Sequence, residues 1–185
     1  TLRPEMNLSM DNLVRVYENV LDKDTCIKLI EKFEAHTEHQ EKMQDNKMSF
    51  TQIDFRKNMS GWKIEMANLI DICFPHITKY KEEFDPIWPE RHAFESFKIK
   101  RYMPDGIDEF PRHVDVSSYE NARRFLVFFL YLNDNEAGET MVDNVVSKCK
   151  QGNMLVFPPM WTHPHSGEKP TKKPKYIVGS YLHYT

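Results

Sequence analysis

At 185 residues the chain is one domain, long enough to bury a core without disulfide or metal staples. Twenty-five basic against 28 acidic residues give a net charge of -3, which excludes nucleic acid and anionic membrane surfaces as the main partner. Cys26, Cys73 and Cys149 form neither a CxxC pair nor a disulfide framework, which favours a reducing, cytoplasmic compartment, and no apolar stretch approaches the roughly 20 residues a membrane span needs.

Residues 1–92 read as mainly helical support. Leu13 to Tyr17 is a short β-prone run. Asp22 or Asp24 can cap a helix whose apolar positions Cys26, Leu29, Ile30 and Phe33 fall at helical spacing. Thr37 to Asn58 is polar and without period, a long loop with room for a short strand near Phe50 to Phe55. A second helix starts near Ser60, with Trp62, Met66, Leu69, Ile70 and Cys73 on one face, and Pro75 is expected to kink or end it. Phe84 to Arg91 carries two prolines and reads as a connector.

From residue 93 to 185 the texture is strand-rich. Phe97 and Ile99 alternate with Lys98 and Lys100 in a half-buried strand that leads to Tyr102. Met103 to Arg112 is a loop feeding His113. Arg124 to Leu132 is nearly continuously apolar and suits a central strand covered on both faces. Further strands are expected over Thr140–Val146, Met154–Phe157 and Tyr176–Tyr184, separated by turns. Many short strands divided by turns indicate a sandwich or barrel, not a parallel sheet.

Chemistry concentrates in that half. His113 and Asp115 stand in Arg-His-Val-Asp-Val, and on a strand such i, i+2 residues aim to one side. A His-x-Asp tripeptide alone is commonplace surface polarity. His-Pro-His-Ser-Gly follows downstream, and two histidines with one carboxylate make the open-sided facial triad that suits Fe(II). His163 and His165 compete for the distal position. The ten-residue offset from His165 to Lys175, and the small pair Ser166-Gly167, favour His165. At that offset Lys175 can hold the far carboxylate of a diacid co-substrate. Lys169, Lys172 and Lys173 read as a solvated loop, Arg101 and Arg112 as solvated flanks of the metal strand, and Trp161 as packing or mouth.

Over Phe97 to Tyr184 the ordered set K-R-Y, H-V-D, F-F-L-Y-L-N, G-E-T, G-N-M-L-V-F-P, H-S-G and K-Y resembles the prolyl 4-hydroxylase-like branch of the Fe(II)/2-oxoglutarate dioxygenases. The resemblance implies an α+β fold, a double-stranded β-helix (jelly-roll) core with N-terminal helices packed on it, in a single domain. It implies His113, Asp115 and His165 as iron ligands, and Lys175, Tyr131 and Tyr102 as the 2-oxoglutarate contacts. It also implies Fe(II), 2-oxoglutarate and O2 as reactants, with ascorbate as reductant. The expected reaction releases succinate and CO2 and hydroxylates an unactivated C–H bond of peptidyl-proline or a small molecule. Asp115 occupies the position a halide would need, so hydroxylation is the expected outcome. Ala137 stands where many members carry the first glycine of a Gly-Gly-x-Thr turn. The competing expectations are a metal-dependent hydrolase using bound water, and a non-catalytic jelly-roll binding module.

Overall fold

Alternation along the strands sorts side chains onto two faces, and the computed structural model, which describes residues 13–84 and 87–185, covers both. Positions 85 and 86 of the expected connector lie outside the described residues. β1 (Arg15–Tyr17) leads into α1 (Lys23–Ala35). Asp22 caps that helix, its carboxylate accepting the Thr25 N–H at 2.9 Å, a contribution of about 1 kcal/mol.

The segment expected as a loop is ordered. A 3-10 turn at Thr37–His39 precedes a hairpin of β2 (Glu41–Gln44) and β3 (Ser49–Asp54). Its polarity hid β2, a sheet edge where charged side chains face water. α2 (Met59–Phe84) runs through Pro75, so the proline does not end the helix. Pro75 is exposed, and the carbonyl deprived of its partner belongs to exposed Asp71, where solvent satisfies it. Leu69 and Cys73 before the proline, and Ile77 and Tyr80 after it, are buried and anchor both halves.

The remaining strands are β4 (His92–Phe94), β5 (Lys98–Tyr102), β6 (Phe110–His113), β7 (Arg124–Tyr131), β8 (Thr140–Val142), β9 (Val145–Ser147), β10 (Met154–Phe157), β11 (His165–Gly167) and β12 (Lys175–Tyr184). Two differ from expectation. β6 begins at Phe110, inside the supposed loop. The strand expected over Thr140–Val146 is a hairpin, because Asp143 takes φ 48°, a conformation an aspartate tolerates.

Eight strands form a large sheet in the order β1-β10-β7-β12-β5-β3-β2, with β4 also on β12; four form a small sheet, β6-β11-β8-β9. All pairings are antiparallel. The N-terminal half is thus more than helical support, since β1, β2 and β3 belong to the large sheet. Leu126, Phe128 and Leu130 of β7, with Ile99 and Val178, pack with buried residues of α1 and α2 on the outer face. Each fully buried large side chain contributes roughly 1.5–3 kcal/mol. Val127, Val142, Leu155 and Phe157 form a second cluster between the sheets. The two sheets face each other as a jelly-roll barrel whose inner face carries the polar residues discussed next. All three cysteines are buried free thiols, and no described helix is long and apolar enough to cross a membrane.

Candidate metal and co-substrate site

β6 and β11 pair in a register that sets His113 opposite His165, with ring centroids 4.3 Å apart. Asp115 reaches the same point by another route than the expected i, i+2 alternation. β6 ends at His113, and the turn beyond it is pinned by the Asp115 and Val116 N–H groups, which donate to the Pro159 carbonyl at 3.0 and 3.1 Å. The carboxylate then lies between the rings: His113 Nε2 is 3.5 Å from Oδ1 and His165 Nε2 is 3.2 Å from Oδ2. One ligand atom from each residue falls within 4.8 Å of the others.

The hydrogen bonds behind the rings set their polarity. His113 Nδ1 lies 2.8 Å from the Pro111 carbonyl and His165 Nδ1 lies 3.0 Å from the His163 carbonyl. A carbonyl only accepts, so each Nδ1 carries the proton and each neutral ring turns an Nε2 lone pair toward Asp115. Three acceptors therefore converge, and buried Asp115 Oδ2 has no hydrogen-bond donor. A cation resolves that arrangement. The donor set, two imidazoles and one carboxylate with an open side, fits Fe(II). Burial acts to raise the Asp115 pKa, but whenever either ring takes a second proton its Nε2–H hydrogen-bonds to the carboxylate, and that bond with the accompanying charge holds Asp115 well below the usual carboxylate range. Phe110 stacks on His113 at 3.6 Å and Phe157 meets the edge of His165 at 4.7 Å, so neither ring is free to turn.

The pocket beside the cluster is walled by Tyr102, Thr140 and Lys175. Lys175, 1 % exposed, opens β12 opposite Tyr102. Its Nζ donates to the Gly138 carbonyl at 2.8 Å and to Glu168 O at 3.4 Å, and lies 4.7 Å from the Tyr102 ring. No carboxylate forms an ion pair with it among the described residues. Burial pushes its pKa down to about 8. Gly138, at φ 80°, is the position that matters in this turn: a Cβ there would stand 3.1 Å from Lys175 Cδ. Ala137 in place of a first glycine leaves that contact intact.

Not every expected residue reaches the pocket. Tyr131 does not line it: its buried hydroxyl is held by Thr140 Oγ1 at 2.9 Å and Ser147 Oγ at 3.0 Å, so Thr140 stands in front. His163 is buried but outside the cluster, its Nδ1 2.7 Å from Thr162 Oγ1, and its backbone carbonyl orients His165. Arg101 faces the helices, where one guanidinium nitrogen meets both Glu34 oxygens at 2.8 Å. Arg112 is exposed beside Asp143, Trp161 is 76 % exposed, and Lys172 pairs with Glu136.

Several pocket residues escaped the sequence reading, Thr140 in front of Tyr131 among them. Lys100 and Tyr181 line the pocket, and Phe110 supports His113. The signal was parity: Lys100 lies two before Tyr102, and Tyr181 six after Lys175, on the same faces. Tyr181 lies against Asp115, and burial together with that carboxylate's charge raises its pKa well above the usual phenol value. A second cluster, His36, Glu38 and His39, also has metal-like spacing. Trp62 Nε1 donates to His39 Nδ1 at 3.2 Å, which leaves the neutral ring's proton on Nε2, 3.7 Å from Glu38. That histidine is satisfied as a donor, not poised as a ligand.

Residues 97–183 match the family model of the 2OG-Fe(II) oxygenase superfamily. No curated protein sequence matches the chain. Among solved structures, a Trichoplax adhaerens prolyl hydroxylase in complex with a hypoxia inducible factor oxygen degradation domain peptide fragment aligns with a TM-score of 0.70 at 14% identity, over 94% of this chain and 84% of that one. A Pseudomonas putida prolyl-4-hydroxylase gives 0.68 at 15% identity over 95% and 97%. The viral collagen prolyl hydroxylase of Paramecium Bursaria Chlorella virus-1, as its 2OG complex, gives 0.64 at 15% identity over 94% and 97%. At these identities the likeness is one of fold, the double-stranded β-helix.

Proposed function

We propose, for a chain whose residues 97–183 belong to the 2OG-Fe(II) oxygenase superfamily, that it is a 2-oxoglutarate-dependent dioxygenase of the prolyl hydroxylase-like branch, acting on a prolyl residue or a proline-like small molecule. The observation that carries this reading is the convergence of three acceptors, His113, Asp115 and His165, beside a buried lysine that no carboxylate among the described residues neutralises. Those three residues would hold Fe(II). When bound, iron would supply the coupling of 2-oxoglutarate to O2, with one oxygen atom going into succinate as CO2 leaves and the other into a substrate C–H bond.

The chain's own residues do the positioning. The Nδ1 bonds to Pro111 and His163 carbonyls keep both Nε2 lone pairs on the metal side. Lys175 offers its ammonium to the distal carboxylate of 2-oxoglutarate, a compact point charge on the pocket floor. Thr140 and Tyr102 flank that carboxylate, and Tyr131 acts one step back by orienting the Thr140 hydroxyl. Phe110, Phe129 and Ile177 exclude water from the reacting centre. A hydrolase reading leaves Lys175 without a task. Ascorbate is the reductant of choice for testing, and the prolyl preference follows the neighbours' fold. The test is a peptide and amino-acid panel with Fe(II), 2-oxoglutarate and ascorbate, followed by mass spectrometry. A gain of one oxygen with stoichiometric succinate is expected; 2-oxoglutarate-independent change, or none with every substrate and no succinate, would overturn the proposal.

A further inference from the structure

Lys100 is the charged group that metal and co-substrate leave unused. A cavity of about 130 Å³ adjoins the metal pocket along the inner face of the large sheet, and Lys100 and Tyr181 stand in the walls of both. Phe129 and Ile177 give it an apolar flank; Lys98, Lys100 and Arg124 give it a cationic one. These cations are not equivalent. Arg124 makes two bonds to Glu95, at 2.9 and 2.8 Å, and stacks on Tyr181 at 4.0 Å. Lys98 stands 3.7 Å from Asp54.

Lys100 has neither a hydrogen bond nor an ion pair among the described residues. Its ammonium lies 4.8 Å from the Phe50 ring and 5.5 Å from the Phe110 ring. Such faces offset about 0.5–2 kcal/mol of the desolvation of this half-buried ammonium, and no anion supplies the rest. The carboxylate it senses most is Asp115, already engaged by His113 and His165. Burial pushes the Lys100 pKa down to about 8.

Position separates this lysine from the co-substrate. Lys175 pairs with Tyr102 and Ile177 with Lys100, so the two lysines lie two ladder steps apart, about 7 Å along the strands. Resting on the dioxygenase reading above, we infer that Lys100 receives a carboxylate of the primary substrate. The substrate is therefore anionic, with an apolar ring or chain against Phe129 and Ile177. Free imino acid and acidic peptide share that chemistry.

The test loads the whole protein with Mn(II) and 2-oxoglutarate and titrates two matched probe pairs by calorimetry. One pair is free L-proline against L-prolinamide. The other is acetyl-alanyl-prolyl-glutamyl-alanine amide against its glutaminyl counterpart. The wild type is expected to bind the carboxylate member of one pair roughly ten-fold more tightly, and Lys100→Met to cut that ratio below about two-fold while sparing the neutral member. The responding pair identifies the carboxylate's source. Absence of a carboxylate preference in both pairs, or its survival in Lys100→Met, overturns the inference. So does a loss of 2-oxoglutarate affinity in Lys100→Met as large as in Lys175→Ala, which would make Lys100 a co-substrate group. Fe(II)-dependent succinate release by the wild type is read separately: release without carboxylate preference sinks the substrate inference alone, and no release sinks the dioxygenase reading.

Discussion

The two faces of the large sheet are built from the same strands to opposite ends. Toward the helices, Ile99 of β5, Phe128 of β7 and Val178 of β12 are wholly buried among apolar neighbours. The cations there are neutralised, Arg101 by Glu34 and Lys32 by Glu65. Toward the barrel interior the alternate residues of those strands include Lys100, Tyr102, Lys175 and Tyr181, and neither lysine meets a carboxylate partner among the described residues. One face is complete as the chain folds. The other keeps charges that only ligands satisfy, and that local cost is what marks it as functional.

The largest effects should separate the faces outright. Phe128→Ala is expected to cost about 3–5 kcal/mol in urea denaturation, as a cavity in a packed core does. Asp115→Ala, His113→Ala and His165→Ala should abolish succinate release and Fe(II) binding while unfolding at or above the wild-type midpoint. Each removes a polar group from a cluster of facing acceptors. An Asp115→Ala protein as unstable as Phe128→Ala, or one that still turns over, would break the comparison.

Next in size is the cation proposed for the co-substrate. Lys175→Ala should weaken 2-oxoglutarate binding by roughly 2–5 kcal/mol, the range for a buried charge pair losing one partner, and leave Fe(II) affinity nearly unchanged. Lys175→Arg should keep part of the activity, since its planar fork fits a point-charge site imperfectly. Lys172→Ala and Lys173→Ala should behave as wild type. A loss that appears in Lys173→Ala and spares Lys175→Ala would move the site.

These predictions rest on residues whose legibility in the sequence differed for physical reasons. His113, Asp115, His165 and Lys175, which the structure brings to one pocket, could be picked out as candidates because ligand chemistry restricts residue type and spacing. The convergence itself could not be read, because Asp115 is placed by a turn tied to the distant Pro159 carbonyl. Lys98 and Lys100 read as the wet face of a half-buried strand. Alternation tells which residues share a face but not what covers it, and here a second sheet does. Tyr131 had the right position on β7 and the right parity, yet Thr140 stands before it. Pro75 suggested a break, since propensity is local and the anchoring of α2 on either side is not.

His163 offers a smaller and sharper test. Its contribution to the cluster is a backbone carbonyl, which survives substitution. His163→Ala should therefore retain Fe(II) affinity within a few-fold while losing roughly 1–3 kcal/mol of stability for a buried polar group removed from its partner. Loss of metal binding equal to that of His165→Ala would transfer the ligand role.

The finest effect is a pair of opposite pH dependences at Lys175. Its pKa falls from 10.5 to about 8 on folding. Between those values the unfolded chain holds more protons than the folded one, so stability of the ligand-free protein rises as pH increases through that window. Below about pH 8 the lysine is charged in both states and its desolvation cost is fully expressed. If the ammonium holds 2-oxoglutarate as proposed, co-substrate affinity runs the other way, and its dissociation constant should climb as pH passes about 8. Lys100 titrates in the same window, so Lys175→Met should flatten the stability profile only in part. Urea midpoints at about pH 7.5 and about pH 9.5, with calorimetric 2-oxoglutarate titrations at both, measure the two slopes together. Stability and co-substrate affinity falling in parallel, or a Lys175→Met protein with the wild-type stability slope, would show that this ammonium is not the charge this pocket has to bear.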